Sequence, residues 1–214
     1  MFAGHYTSAF VAKAASPRTP LWILLLAAQF VDVLWVLAIL AGIEHVRLDP
    51  GLPSNPLDLY DMPWTHSLVA TAVWSAVAFV ATTRWLRLTT RDGAMVAAVV
   101  ASHWFLDLVV HRADLTIAGG EPKLGFALWN FPVTAYLLEI VLVVGSVALA
   151  MAACADDAAK RRRWLWLAGS LVALQTATSF GPLPSSITAM VSSTLAVYLV
   201  VAAAGVKVEG VSKA

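Results

Sequence analysis

Charge is scarce in this chain, and cysteine is nearly absent. Only 13% of its 214 residues are Asp, Glu, Lys or Arg, and the net charge of +1 provides no basic excess for a nucleic-acid partner. The single Cys154 excludes an internal disulfide and gives a thiolate metal site no second sulfur. The N-terminal stretch MFAGHYTSAFVAK has neither a basic n-region nor a small-residue cleavage site, so we do not expect a removable signal peptide. What remains is apolar: 60% of residues are hydrophobic, in runs that no soluble core of this size needs. The composition predicts an integral membrane protein of the all-α class.

A helix needs about 20 apolar residues to cross about 30 Å of hydrocarbon. Six runs of that kind stand at 21–43, 65–86, 94–110, 128–153, 164–180 and 186–206, which predicts a polytopic bundle of six transmembrane helices. With the N-terminus inside, eleven Lys and Arg face the cytoplasm (Lys13, Arg18, Arg84, Arg87, Arg91, Lys160, Arg161, Arg162, Arg163, Lys207 and Lys213). Only Arg47, Arg112 and Lys123 face outward, so both termini are expected inside a cytoplasmic membrane. The run KRRRW at 160–164 reads as a topology anchor rather than a nucleic-acid patch. Two longer connections, 44–64 and 111–127, lie on the outer side and are rich in Pro, Gly and acidic residues. The whole chain, 1–214, reads as one membrane domain. It comprises an N-terminal segment at 1–20, a polar-bearing half at 21–153 and two last spans at 164–206.

The polar residues are unevenly placed. All five histidines (His5, His45, His66, His103 and His111) fall in the first half, and in the last two spans we single out only Gln175, so spans one to four are the expected working half. In SHWFLDLVVHR, His103, Asp107 and His111 follow one another at four-residue intervals, forming one helical stripe about 12 Å long. A charge at membrane depth costs several kcal/mol unless paired, hydrated or metal-bound, which marks Asp107, Asp32 and Glu139 as candidate site residues. Asp32 and Glu139 lie about 15 Å below the outer ends of their spans and His103 about 12 Å below its own, so three helices place ionisable groups in one layer. His66 opens span two level with His111 and near His45, extending the layer towards an outer-facing cleft.

Imidazoles and carboxylates converging in a dry cavity are the ligand set of catalytic zinc and related divalent ions. Along the helix axis His103 and His111 stand about 12 Å apart, which argues against a shared ion. Either two ions sit in a row, or one ion takes part of the stripe and the remaining residue supports it or donates protons. The other reading of each histidine is a hydrogen-bonded packing residue, and of Glu139 an ion pair or interhelical hydrogen bond. The tryptophans read as interfacial belt or packing residues.

The order GHY at 4–6, Asp32, THS at 65–67 and SHWFLD at 102–107 resembles the bacterial membrane-bound metal-dependent hydrolase family that includes an SOS-regulated member. The resemblance spans roughly residues 1–140 and implies His5, Asp32, His66, His103 and Asp107 as metal ligands. Where the family often has a denser Asp/His cluster after the first span, this chain has GIEHVRLDP. For His5 to take part, residues 2–12 must form a short re-entrant helix, with Lys13 at the inner interface; the other possibility is an amphipathic helix on the inner surface.

These residues suggest a hydrolase holding a divalent ion, zinc first, with manganese or iron as alternatives. Asp107 or Glu139 would act as base and His66 or His111 as proton donor near the mouth. His111 thus stands between two roles, ligand and acid, and Arg112 beside it is either a head-group fork or an interfacial anchor. The expected partners are membrane lipids and a lipid-like or small-molecule substrate with a phosphoester, ester or amide bond. A transporter or channel relaying protons through the same carboxylates is the second reading, although the chain lacks the two similar halves common in transporters. A haem-binding cytochrome is the third, disfavoured by carboxylates alternating with the histidines.

Overall fold

The computed structural model describes residues 1–210; Lys213, counted above on the inner side, lies outside them. The described residues are mainly helical, with eight α-helices among them: α1 Tyr6–Ala15, α2 Leu21–Ala28, α3 Phe30–Leu40, α4 Leu68–Arg84, α5 Thr90–Val110, α6 Pro132–Cys154, α7 Ala158–Phe180 and α8 Ile187–Glu209. Three of them, α5, α6 and α8, are long and apolar enough to cross a membrane, and α2 with α3 makes a fourth if the bent pair is one span. The predicted second span is shorter as a helix, at 17 residues, because Ser67 caps α4 by accepting from Ala70 N at 3.1 Å. The predicted fifth, α7, is diluted by its basic first turns and by Gln175, Thr176, Thr178 and Ser179. Exposed Val73 and Val77 on α4, Leu137 and Val141 on α6 and Leu199 and Val200 on α8 give the bundle an apolar outer face suited to lipid.

The run at 21–43 is not one straight helix. It bends by 52° at Gln29. No proline or glycine stands there. Instead the Gln29 side chain donates from Nε2 to the Phe2 carbonyl at 2.9 Å, and its own N–H bonds Leu26 O at 3.2 Å in a tightened turn. A buried core of Leu21, Leu24, Leu25, Val31, Val100, Val143, Trp164 and Leu171 fills the space between the helices. Where α8 crosses α2, Gly205 allows the close approach: a Cβ there would lie 2.9 Å from the Trp22 backbone nitrogen.

A short 3-10 turn, Ala3–His5, leads into α1, and the two are enclosed by α2, α5, α6 and α7. Phe10 on α1 is fully buried, edge-on to Trp164 with ring centroids 5.8 Å apart. Lys13 closes the other end of α1, donating from Nζ to Pro17 O at 2.7 Å and Thr19 O at 2.8 Å and pairing with Glu209.

The two longer connections, expected as loops, contain small antiparallel sheets within an otherwise helical fold. β1 His45–Leu48 pairs with β2 Leu57–Asp61, and β3 Leu115–Thr116 pairs with β4 Lys123–Leu124. The alternation of buried and exposed residues in HVRL is the sequence signature of the first strand. The segment after β4 seals the end of α5, where Phe126 N donates to Leu108 O at 2.8 Å and Ala127 N to His111 O at 2.7 Å.

A candidate metal centre around Asp107

Six of the residues singled out in the sequence meet in one buried cluster: His5, Asp32, His66, His103, Asp107 and His111. Asp107 is its centre. Oδ2 lies 3.2 Å from His103 Nε2 and 3.7 Å from His66 Nε2, while Oδ1 lies 3.1 Å from His5 Nε2 and 3.2 Å from His111 Nε2. Asp32 closes one side, its Oδ1 lying 3.3 Å from His66 Nε2 and 3.6 Å from His103 Nε2. The His5 and His103 rings stack almost parallel, 3.7 Å between centroids. Two triads, His5–His103–Asp107 and Asp32–His66–His103, each bring three ligand atoms within 4.8 Å of one another.

His103 and His111 therefore reach the same carboxylate, on different oxygens, although their axial separation argues against a shared ion. The separation applies to the backbone; each side chain leans towards Asp107 midway between them and takes a different oxygen.

Hydrogen bonds fix the faces of three imidazoles. The break at Gln29 brings the Ala28 carbonyl to His103 Nδ1 at 3.1 Å, and a carbonyl can only accept, so Nδ1 carries the proton. Thr65 Oγ1 donates its one proton to Glu44 Oε2 at 2.6 Å and so accepts from His66 Nδ1 at 2.8 Å. His111 Nδ1 donates to Asp114 Oδ1 at 2.7 Å. All three Nε2 atoms are thereby turned inward onto Asp32 and Asp107. A lone pair facing a carboxylate oxygen is repelled unless a cation stands between them, either a proton on each imidazole or a metal ion shared among them. His103 Nε2 and both ring nitrogens of His5 are buried without a hydrogen-bond partner.

The donor set fits a metal ion by its spacing as well as its chemistry. Asp32 Oδ1 and Asp107 Oδ2 each stand 3.2–3.7 Å from His66 Nε2 and His103 Nε2. Edges of about 3.4 Å are those of ligands at about 2.1 Å from one ion, and the ligand atoms gather this way three at a time, as Asp32–His66–His103 and His5–His103–Asp107.

Glu139 takes a different position. Its Oε2 accepts from Phe2 N at 2.9 Å and Gly4 N at 3.0 Å, holding the N-terminal turn, while Gln175 Oε1 accepts from Ala3 N at 3.1 Å. The Met1 amino nitrogen lies 2.7 Å from Asp107 Oδ1. His45 is not part of the cluster; it is exposed on β1 with Nδ1 2.7 Å from Asp61. Arg112 is occupied by the hairpin and the end of the loop, donating to Pro53 O at 2.5 Å, Asn55 O at 3.2 Å and Asn130 Oδ1 at 3.1 Å.

A cavity of about 520 Å³ opens onto the cluster. Asp32, His66, His111 and Glu139 line its polar side, residues 54–57 of the hairpin and 181–184 between α7 and α8 form its walls, and Leu59, Met62 and Met190 are apolar. Two tryptophans border the imidazoles: Trp129 lies 4.2 Å from the His111 ring and Trp35 is edge-on to His66 at 6.2 Å.

Sequence reasoning confined the site to the first four spans and missed several participants. Tyr198 on α8 donates to Asp32 Oδ2 at 2.9 Å. Glu44, Thr65 and Asp114 supply the outer hydrogen bonds; Thr65 and Asp114 stand one and three residues from a site histidine, a readable signal, whereas the Ala28 carbonyl has none. Comparison of the chain with protein-family models, with curated proteins and with solved structures gives no match.

Proposed function

We propose that this chain is a membrane-embedded, metal-dependent hydrolase of the bacterial family its motifs resemble, acting on a lipid-like substrate. The reading rests on one observation: three imidazoles, each committed outward through Nδ1, present Nε2 to two buried carboxylates at 3.2–3.3 Å. Asp32, His66, His103 and Asp107 are the ligands, and the imidazole and carboxylate donor set suits zinc first, with manganese or iron as alternatives.

Bound there, a divalent ion lowers the pKa of a water molecule and polarises the bond under attack. The chain supplies the rest. Glu139 lines the cavity and has only Oε2 hydrogen-bonded, which leaves Oε1 as the base that takes the proton of water. Asp107, with both oxygens against imidazoles, is a ligand rather than a base. The apolar wall at Leu59, Met62 and Met190 suits an acyl or prenyl chain.

We place α2–α3, α4, α5, α6, α7 and α8 as six spans and α1 as a re-entrant segment carrying His5 inward. Its enclosure by α2, α5 and α6 supports this, because non-helical backbone at depth is tolerated only inside protein. Arg47 and Lys123 belong to the hairpins and Arg112 to the same end, whereas Lys13, Arg163 and Lys207 gather at the opposite end. That division supports the Lys13 end of α1 and the C-terminal end of α8 on the cytoplasmic side of a bacterial inner membrane, with an outer-facing cavity. It corrects the expectation of a cytoplasmic N-terminus, since Met1 is buried against Asp107.

The test is elemental analysis of detergent-purified protein, paired with hydrolysis of phosphoester, ester and amide lipids in mixed micelles. The expected result is bound zinc and turnover of one lipid class that is lost with a chelator and restored by the ion. Protein that neither retains nor takes up a divalent ion would refute the reading.

A further inference from the structure

Building on the single-ion reading above, we propose that Asp107 bridges two cations and that the centre so loaded receives a phosphate ester. The two oxygens of Asp107 serve different imidazoles. Oδ2 faces His66 and His103, the side closed by Asp32, while Oδ1 faces His5 at 3.1 Å and His111 at 3.2 Å.

The second position has the same construction as the first. His111 is turned inward by Asp114, as His66 is by Thr65, so its Nε2 is the free face. His5 is 1% exposed; its Nε2 faces Asp107 Oδ1 at 3.1 Å outside hydrogen-bond geometry, and its Nδ1 has no partner. A histidine there only for packing would be expected to make a well-aligned hydrogen bond, since a buried unpaired polar group costs about 1–3 kcal/mol. The stacking of His5 on His103 at 3.7 Å holds the two ligand faces side by side, one towards each oxygen. His111 is thus a ligand, not the acid at the mouth. The Met1 amino group, 2.7 Å from Oδ1, is the competing cation at this position.

Charge then selects the substrate. Two dications against the carboxylates of Asp32, Asp107 and Glu139 still leave a surplus of positive charge in a buried pocket. An anionic phosphate ester offsets that surplus; a neutral carboxylic ester or amide does not. Paired ions also clamp the oxygens of a phosphoryl group on both sides. His66 and His111, one from each position, both line the cavity, so its substrate would meet both ions.

The experiment loads metal-free, full-length protein in detergent with Mn²⁺ and counts bound ions by elemental analysis. It records the electron paramagnetic resonance spectrum and follows the melting temperature with orthophosphate as probe. Two equivalents, a spin-coupled spectrum and a phosphate-dependent rise in Tm are expected. His111→Ala should hold one equivalent, show the pattern of an isolated ion and lose the phosphate response, and His5→Ala should do the same from the other ligand. One equivalent in the unmodified protein would overturn the bridge, leave the Met1 amino group as the cation on Oδ1, and leave the single-ion hydrolase intact. No bound ion would overturn both readings. Two uncoupled ions would overturn the bridge, and two coupled ions with no response to phosphate would overturn the substrate class.

Discussion

Replacing Thr65 with valine removes one hydroxyl and keeps the shape. In the structure that hydroxyl makes two contacts: it donates to Glu44 Oε2 at 2.6 Å and accepts from His66 Nδ1 at 2.8 Å. Glu44 stays in place in the variant, because its Oε1 also accepts from Trp64 N at 2.7 Å and Thr65 N at 2.9 Å. His66 Nδ1 loses its acceptor, and the ring is free to turn or change tautomer. Removing such an outer partner costs metal affinity on the order of 10- to 100-fold, or about 1.4–2.8 kcal/mol. The lost hydrogen bonds themselves cost about 1 kcal/mol each in stability, with or without the ion. Titration of the metal-free protein with zinc against a fluorescent chelator measures the first quantity, and melting of the metal-free protein measures the second. Thr65→Ser keeps the hydroxyl and should stay within about twofold of the unmodified protein in zinc affinity, well short of the 10-fold loss above. A Thr65→Val variant that melts lower yet binds zinc with unchanged affinity would refute the reasoning, because the hydroxyl would then serve the fold and not the imidazole.

His103→Ala and Asp107→Ala should each lower metal content and melting temperature together, so that chelator no longer shifts their Tm; full metal content in both would remove them as ligands. Lys13→Met takes the ammonium from Glu209, which keeps only the Leu21 N–H, and from the carbonyls of Pro17 and Thr19, and should destabilise the protein by about 1–3 kcal/mol, read as a fall in Tm. At Gly125 a Cβ would sit 1.9 Å from the Arg112 carbonyl oxygen, so Gly125→Ala should force the segment off the end of α5 and cost about 1–3 kcal/mol or more in thermal melting. A labelling tag inserted near Pro53 should be reachable from outside intact cells and one near Asp156 should not; the reverse pattern would move the cavity to the cytoplasmic side.

The four-residue spacing of His103, Asp107 and His111 is a property of the sequence, and in the structure the three side chains meet on one face of α5. Reach is not written in spacing. A backbone interval says nothing of a side chain leaning back by a turn, and so two histidines too distant for one ion share one carboxylate. His5 lies 98 residues before His103, and no periodicity relates them; its place next to that ring is set by the enclosure of the first helix. Hydropathy marks α5, α6 and α8 because their apolar windows are long, but α7 carries Gln175 and a patch of hydroxyls that dilute the same signal. The bend at Gln29 has no local cause, since its trigger is the carbonyl of Phe2, and neither propensity nor a helix breaker announces it. Tyr198 is invisible for a similar reason: a tyrosine in an apolar helix is ordinary until a carboxylate faces it.

The partners of the N-terminal turn impose an order of events in biosynthesis. Ala3 bonds a glutamine 172 residues further along the chain, Phe2 a glutamate 137 residues further along, and His5 stacks on a ring of α5. A ribosome makes this turn long before it makes those partners, at about 5–20 residues per second, so the first helix waits for roughly ten seconds or more with its polar backbone unanswered. It has no stable place in lipid during that interval and must linger at the membrane surface or in the insertion machinery. The cluster is therefore completed late, when α7 and then α8, with Tyr198 on Asp32, close over a segment made long before. Pulse-labelled chains truncated before α7 should leave residues 1–15 open to protease, and full-length chains should protect them.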